Sequence, residues 1–333
     1  MAGTEAGAEE SRMRIVIKAA AAALAACAVL PAAANAACTP KSNLEAIVDD
    51  SGSMEYSDPS DLRIRAMELL IDTQGNEKRT LGAIEFGSAA KPLFGPGLIG
   101  QNAAAYKAAL GADLLHDGEG TDYNAAFAAA GSHNPTATAR IFLTDGEHTA
   151  DAPYANGHKG GPPTYVIGLG AGTPGSPFDA LLKQIAADTG GLYRRADDAG
   201  ALQAAMFDLN SAIACQTPPK RFADMFTKVG KPEPHTIGIP SRINAAQFAL
   251  TWTNTADKFT IGSFQIIRRG KVVAHSAKVR KLKVSRRRGA TFTTVRVTGL
   301  VPGKLRFSVK ATKLSTRGVP VALTTQVARR ATR

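Results

Sequence analysis

The chain has 333 residues, which is long enough for two domains of ordinary size. Its formal net charge of +12 is unevenly divided. Residues 37–216 carry 22 acidic and 12 basic side chains, whereas residues 217–333 carry 3 acidic and 25 basic side chains. This division excludes a uniformly basic protein and predicts an acidic half and a basic half that meet near Gln216. The Pro218-Pro219 pair beyond that point predicts a linker over residues 217–240.

Residues 1–36 have the pattern of a secretory signal peptide. Basic side chains precede an apolar run over residues 19–30, and Ala34-Asn35-Ala36 fits the small-x-small pattern at which such peptides are cleaved. Pro31 ends an already short apolar run, which argues against a membrane-spanning helix. Residues 24–27 also resemble a lipoprotein cleavage box, but apolar residues follow where a polar tether is expected. We therefore predict an exported protein, secreted or associated with the cell surface, without a transmembrane helix in the mature chain.

Two cysteines, Cys38 and Cys215, remain if the signal peptide is removed after Ala36. An even number of cysteines in an exported protein permits a disulfide bond, and a Cys38–Cys215 bridge would join the two ends of one domain. Closing a loop of this length contributes about 4–5 kcal/mol in the chain-entropy model, less any strain. Two buried free thiols are the alternative.

Short apolar runs alternate with helical stripes along residues 38–216. Runs with few polar breaks are typical of strands that helices cover on both faces. The alternation of strand and helix predicts an α/β domain with a central, mainly parallel sheet. The predicted strands cover residues 44–48, 81–86, 140–144 and 164–169, and the predicted helices cover residues 62–70, 102–110, 122–130, 178–189 and 202–213.

Oxygen-bearing side chains follow two of these strands. Asp49, Ser51 and Ser53 stand at alternate positions after the first strand, and Asp145 follows the strand at 140–144. Ligands of parallel α/β folds bind beyond the carboxyl ends of the strands, so we expect these side chains at one edge of the sheet. Oxygen-only ligands suit a hard cation such as Mg²⁺, Mn²⁺ or Ca²⁺. For residues 49–53 alone, a turn that caps the following helix is an equally good interpretation.

These residues, in this order, resemble the von Willebrand factor type A (vWA) family. The metal-ion-dependent adhesion site of that family joins a D-x-S-x-S loop, a threonine in a second loop and an aspartate in a third. Asp49, Ser51 and Ser53 match the first loop. Thr121, in Gly-Thr-Asp-Tyr-Asn, matches the second, and Asp145, in Leu-Thr-Asp-Gly, matches the third.

The resemblance implies a Rossmann-like vWA domain over residues 38–216 that binds Mg²⁺, with Mn²⁺ or Ca²⁺ as alternatives. It also implies a protein or peptide partner that offers an Asp or Glu carboxylate to the metal. Asp50 and Glu119 depart from the usual family pattern, and both are expected to add negative charge near the rim of the site.

The sequence predicts coordination without a reaction, so we expect a protein that is not an enzyme. It contains no H-E-x-x-H, C-x-x-C or G-x-x-x-x-G-K motif. A metal-assisted hydrolase, the alternative, needs a general base near the ion, and His148 and Glu147 are the two side chains close to Asp145 in sequence.

The basic half has the alternation of a small antiparallel β-sandwich over residues 241–330. Apolar and polar residues alternate from about Phe248 onward, and glycine-containing turns separate the runs. Residues 297–311 resemble the E–F region of fibronectin type III domains, and Trp252 matches their core tryptophan. Leu305 or Arg306 stands where the corner tyrosine is expected, and an unclassified immunoglobulin-like sandwich fits equally well.

Clusters of basic side chains in this half predict contact with an anionic cell-wall polymer or with lipid head groups. Specific nucleic-acid recognition is not predicted, because stacking aromatics do not interleave with the clusters. Two alternatives are solvated outward strand faces and docking of the basic half onto the acidic half. The residues predicted to bind polyanions are Arg268, Arg269, Lys281, Lys283, Arg286, Arg287 and Arg288.

The two halves together predict an exported, metal-dependent protein-binding module. The vWA-type domain would bind the partner through Mg²⁺, and the basic β-domain would contact the cell envelope. The alternatives are the metal-assisted hydrolase and a structural protein of the cell envelope.

Overall fold

A computed structural model describes residues 39–74, 78–146, 148–170, 174–216, 218–241, 243–275 and 280–329. The predicted signal peptide and Cys38 lie outside the described residues, so the Cys38–Cys215 bridge stays a prediction. In the described part of the chain, no helix has both the length and the apolar character needed to cross a membrane.

The acidic half forms a six-stranded sheet in the order β3-β2-β1-β4-β5-β6. All neighbouring strands are parallel except β3, which pairs antiparallel with β2 at one edge. The strands are β1 Asn43–Asp49, β2 Thr80–Phe86, β3 Ala90–Leu98, β4 Ala139–Thr144, β5 Thr164–Leu169 and β6 Tyr193–Ala196. The helices are α1 Met54–Ser57, α2 Leu62–Gln74, α3 Ile99–Asp113, α4 Tyr123–His133, α5 Pro177–Asp188 and α6 Ala199–Ile213.

Helices cover both faces of this sheet, as the continuous apolar runs predict. In β1, Leu44, Ala46 and Val48 belong to the apolar core shared with α2, α3 and α6. Ile47 points to the other face, because successive strand side chains alternate, and there it packs in a second core with Phe142 and residues of α4 and α5. The predicted Rossmann-like fold class with a mainly parallel sheet is therefore confirmed.

The basic half is a β-sandwich of two five-stranded sheets in its described residues, ordered β12-β11-β10-β15-β8 and β13-β14-β9-β16-β7. Strand pairs are antiparallel except for the short β11–β12 pair. Phe248 of one sheet contacts Phe307 and Phe264 of the other in the shared core, with ring centroids 4.9 and 5.2 Å apart. The strands are β7 Lys220–Phe226, β8 Pro232–Ile239, β9 Ile243–Thr251, β10 Lys258–Arg268, β11 Lys271–His275, β12 Arg280–Lys281, β13 Lys283–Arg288, β14 Phe292–Thr298, β15 Gly303–Lys313 and β16 Val319–Arg329.

The linker predicted over residues 217–240 is wrong for most of its length, because β7 and β8 lie within it. Prolines suggested an extended connection, yet β8 is an edge strand that contains Pro232 and Pro234. An edge strand tolerates proline because one side of its backbone has no ladder partner. His235 of β8 also bonds to Asp224 of β7 at 2.8 Å, which links the edges of the two sheets.

The two halves share a polar junction and belong to one compact unit that spans residues 40–333. Gln203 of α6 is 1% exposed; its amide donates to the Ala249 carbonyl, and its Oε1 accepts from the Thr251 hydroxyl at 2.5 Å. Arg287 of β13 forms an ion pair with Asp72 of α2 at 2.5 Å. The basic half therefore docks on the acidic half within one molecule, and Arg287 takes part in that contact.

Candidate metal centre

The first loop of the predicted site begins at the last residue of β1. Asp49 is fully buried, and its Oδ1 accepts hydrogen bonds from the Ser51 backbone N–H at 2.9 Å and from the Ser51 hydroxyl at 2.5 Å. The Ser51 and Ser53 hydroxyl oxygens are 3.1 Å apart. Ser53 precedes α1 but makes no side-chain capping bond to it. The side-chain oxygens of Asp49, Ser51 and Ser53 therefore form one hydrogen-bonded chain. Ser53 does not cap the helix through its side chain, so the capping interpretation is not supported at this residue.

The third loop brings Asp145 from the end of β4 to the same region. Its Oδ2 accepts a hydrogen bond from the Ser57 hydroxyl of α1 at 2.7 Å. Its Oδ1 is buried and has no hydrogen-bond partner among the described residues. A buried, unpartnered carboxylate oxygen is costly unless a donor or a cation satisfies it.

Thr121 lies in the second loop and is 2% exposed. Its backbone is held by Thr149, which accepts from the Thr121 N–H at 2.8 Å and donates its own N–H to the Thr121 carbonyl at 3.0 Å. The Gly52 N–H donates to the Glu119 carbonyl at 2.8 Å, which joins this loop to the Asp49 loop. The backbone therefore ties the second loop to the first, two residues from Thr121.

Burial and charge raise the pKa of Asp49 to about 7 from an ordinary value of 3.8. Burial is the larger cause and the negative charge of Asp145 is the second, while hydrogen bonds from Ser51 and Thr144 lower the pKa without offsetting them. The Thr144 hydroxyl donates to Asp49 Oδ2 at 2.5 Å and is itself 3.0 Å from the Tyr123 hydroxyl. The fold thus holds two mutually repelling carboxylates together, an arrangement that a cation would stabilise.

The donor set fits a hard divalent cation. The five side chains offer two carboxylates, which balance the charge of the ion, and three neutral hydroxyls. Among the described residues, no group of three or more His, Cys, Asp or Glu side chains could hold a metal. All five candidate ligands are oxygen donors, unlike the nitrogen and sulfur ligands typical of structural zinc, and this matches the preference of Mg²⁺, Mn²⁺ or Ca²⁺.

We expect metal affinity to depend on pH with a change near pH 7. Because Asp49 holds a proton below that pH, the cation must displace it, and the apparent affinity should fall about tenfold per pH unit between pH 7 and 5. Calorimetric titration of Mg²⁺ at several pH values measures this effect. A pH-independent dissociation constant would contradict the assignment of Asp49.

The folding stability of the metal-free protein should fall as the pH rises, whereas its metal affinity should increase. The pKa of Asp49 in the folded state lies above the unfolded value of 3.8. Its contribution to the free energy of unfolding is therefore fully present below pH 3.8 and is lost as the pH rises through about 7. Urea unfolding with and without Mg²⁺ separates the two trends, because the cation should restore stability at neutral pH.

Sequence reasoning missed the role of Arg63, a fully buried side chain of α2. Its guanidinium contacts Asp50 at 3.0 Å and Asp58 at 3.2 Å. Asp50 is 1% exposed, and its carboxylate also accepts from the backbone N–H groups of Leu115 at 3.2 Å and His116 at 2.9 Å. The expectation that Asp50 adds charge to the rim is therefore wrong, because its charge is buried and paired. It instead anchors the loop that leads to Thr121.

His148, a candidate general base of the hydrolase alternative, has both ring nitrogens engaged. Nδ1 lies 3.2 Å from the Tyr123 N–H, which donates to it, and Nε2 lies 2.9 Å from the Ala152 carbonyl. A neutral imidazole that accepts at one nitrogen and donates at the other has no free position for a proton from water. Glu147, the second candidate, lies outside the described residues.

The predicted polyanion-binding residues fall into separate places. Arg268 and Arg269 are at the turn between β10 and β11, while Lys281 is on β12 at the edge of one sheet. The remaining four lie on β13, the edge strand of the other sheet, namely Lys283, Arg286, Arg287 and Arg288. Arg287 is paired with Asp72 and Arg286 donates to the Ile261 carbonyl at 3.4 Å, so neither is a purely solvated charge. Polyanion binding stays a prediction.

No protein-family profile and no curated protein matches the sequence. Solved structures do match. An aerotolerance-related membrane protein of Bacteroides fragilis is 21% identical with a TM-score of 0.42, over 52% of this chain and 98% of that chain. A von Willebrand factor type A protein of Catenulispora acidiphila is 18% identical with a TM-score of 0.45, over 88% of this chain and 59% of that chain.

A third match is proximal thread matrix protein 1 from the mussel byssus, solved with zinc in its MIDAS motif. It is 19% identical with a TM-score of 0.40, over 58% of this chain and 51% of that chain. This chain thus spans little more than half of the Catenulispora and mussel proteins. At these identities and scores the matches carry no argument about function, which depends on the residues of the site.

Proposed function

We propose that this von Willebrand factor type A fold binds a divalent cation, Mg²⁺ in the first instance, and through it a carboxylate of a protein partner. The ligands would be Asp49, Ser51, Ser53, Thr121 and Asp145. The observation that carries the proposal is the pair of repelling carboxylates, one of which has a buried oxygen without a partner among the described residues, beside a chain of hydroxyls at the sheet edge. Five donors leave one position of an octahedral ion for an oxygen of the partner.

Exposed apolar side chains near the site support a protein partner. Tyr56, in the short helix that follows Ser53, is 83% exposed, and Leu115, whose backbone N–H donates to Asp50, is 60% exposed. Tyrosine is enriched at protein interfaces because it offers a large apolar surface with a polar tip. We propose that these two side chains contact the partner on either side of the metal-bound carboxylate.

The engaged state of His148 supports a binding role over hydrolysis. A bound cation would supply a Lewis-acidic position for the partner's oxygen. Of the two base candidates, His148 has no free ring nitrogen in this structure. We therefore propose a protein that is not an enzyme.

Export and envelope contact complete the proposal. The signal-peptide pattern supports export to the cell surface or the medium, and the excess of basic residues in 217–333 supports contact with anionic polymers or lipid head groups. Part of that excess faces inward, since Arg287 is paired with Asp72 at the junction.

A comparison of immobilised proteins tests the function. Wild type and Asp145→Asn are exposed to an envelope extract in Mg²⁺ and in EDTA, with Asp113→Asn, an exposed carboxylate at the end of α3, as the matched control. We expect Mg²⁺-dependent retention of a partner by wild type and Asp113→Asn, release by EDTA, and competition by an aspartate-containing peptide. Retention that persists in EDTA or with Asp145→Asn would contradict the proposal.

A further inference from the structure

We propose that a cleft at the junction of the two halves binds a single tetrahedral oxyanion of the phosphate class. The cleft lies between the C-terminal end of α2 and strands β9, β13 and β14, and its volume is about 150 Å³. This is well above the roughly 10–15 Å³ that one water needs. The lining side chains used below are Asp72, Gln247, Ser285, Arg287, Thr294 and Arg296.

The strand register places the polar side chains of the cleft on one face of the sheet. Ser285 pairs with Arg296, Arg296 pairs with Gln247, and Arg287 pairs with Thr294. Directly paired residues, and residues two apart on one strand, share a face. The Gln247 amide donates to the Thr73 carbonyl of α2 at 2.9 Å, so this is the face that meets the acidic half. Two guanidinium groups and two hydroxyls are therefore presented on the cleft side of the sheet.

Asp72 is the acidic side chain in the described lining, and its charge is already neutralised. Lys107 lies 2.7 Å and Arg287 lies 2.5 Å from the same carboxylate oxygen. Lys107 and Arg287 therefore already outnumber the single negative charge of Asp72, and Arg296 adds a further positive charge. The junction retains an excess of positive charge even with its carboxylate ionised.

Arg296 is the side chain that points to a ligand. It is half-buried, and it forms no hydrogen bond or ion pair with another described residue. A guanidinium group without a counter-ion is available to an oxyanion, which it binds through two parallel hydrogen bonds. An oxyanion in the cleft would be within the same cavity as Arg296, Arg287 and the hydroxyls of Ser285 and Thr294.

The cleft overlaps only in part with the residues predicted to bind polyanions. Arg268 and Arg269 lie outside its lining, whereas Arg286 and Arg287 belong to it. The Arg286 guanidinium is engaged by the Ile261 carbonyl at 3.4 Å, so the proposal uses Arg287 and Arg296. A volume of about 150 Å³ suits one small anion and not a polymer segment. The anion could be free phosphate or the phosphate end of an ester, which share the same charged oxygens.

Calorimetry with the full chain tests the site, using inorganic phosphate and glycerol phosphate as probes at an ionic strength kept constant with chloride. We expect wild type to bind one phosphate per chain. Arg296→Gln should weaken binding at least about tenfold, since it removes one charged bidentate partner. Arg296→Lys should retain part of the affinity because it keeps the charge but loses the fork. The matched control Arg268→Gln should bind as wild type does.

A second variant and a melting experiment guard against misfolding. Ser285→Ala removes an exposed hydroxyl and should weaken phosphate binding without affecting the fold. Phosphate should raise the melting temperature of wild type more than that of Arg296→Gln, since the general salt effect is common to both. Binding of both probes would identify a phosphate ester as an acceptable source, and binding of inorganic phosphate alone would identify the free ion. The proposal is overturned if wild type binds neither probe saturably, or if Arg268→Gln loses as much affinity as Arg296→Gln.

Discussion

Replacing Asp145 with alanine is expected to weaken Mg²⁺ binding by at least about 100-fold, because even residues that only orient metal ligands contribute 10–100-fold. The fold should survive, since Asp145 is partly exposed and its one hydrogen bond in the described structure is from Ser57. Removing its charge also removes a cause of the raised pKa of Asp49, so the metal-free variant should be at least as stable as wild type at pH 7. Calorimetric titration and urea unfolding measure the two effects.

Asp113→Ala is the control for this experiment, because it removes an exposed carboxylate at the end of α3. It should bind Mg²⁺ with the heat and affinity of wild type. Equal heats for wild type and Asp145→Ala would remove Asp145 from the site.

Arg63→Met is expected to cost about 3–5 kcal/mol of unfolding free energy, the range for breaking a buried ion pair by removing one partner. The substitution leaves the buried carboxylates of Asp50 and Asp58 without their cation. Because Asp50 anchors the backbone at Leu115 and His116, the loop that carries Thr121 should loosen as well. Urea unfolding gives the stability, and Mg²⁺ titration of the folded variant gives the effect on the site.

Arg65→Met provides the matched comparison on the same helix. Arg65 is half-buried and makes one hydrogen bond, to the Thr291 hydroxyl at 3.2 Å, so its loss should cost less than about 1.5 kcal/mol. Adding Asp50→Asn to Arg63→Met should recover part of the stability, because it removes one of the unpaired charges. Similar losses for the Arg63 and Arg65 variants would show that the buried network contributes little.

The sequence predicted the central elements of the α/β fold because their apolar runs and helical stripes are strong local signals. Sequence patterns did not predict the elements whose conformation depends on tertiary contacts. β3 contains Pro92, Pro96 and two glycines and so has the composition of a loop, yet it is a strand. It is an antiparallel strand at the edge of the described sheet, and an edge position tolerates prolines. β8 was likewise not predicted, because its prolines are typical of a linker and its position at a sheet edge is not visible in the sequence.

The sequence predicts the five candidate ligands because Asp49, Ser51, Ser53 and Asp145 follow predicted strands and Thr121 matches the second loop of the family motif. The environment of these side chains could not be predicted from the sequence. The burial of Asp49 and its repulsion by Asp145 depend on how three loops pack, and the Thr144–Tyr123 hydroxyl pair joins residues 21 positions apart. The Asp50–Arg63 pair likewise joins two elements, so a residue that resembled a rim charge turned out to be buried.

The junction between the halves shows a similar limit. Opposite net charges suggested electrostatic docking. Two ion pairs of the described residues do join the halves, Arg287 with Asp72 and Arg221 with Asp208, but the contact also includes the buried amide of Gln203. Net charge does not locate a contact, because it sums over faces that point away from the junction as well as toward it.

Anomalous diffraction from crystals grown with Mn²⁺ would locate the cation. We expect one strong peak within coordination distance, about 2 Å, of the Ser51 and Ser53 hydroxyls, with Thr121 and the two carboxylates around it. A peak located instead among the exposed Asp117 and Glu119 side chains, or no peak at the end of β1, would contradict the proposed metal site.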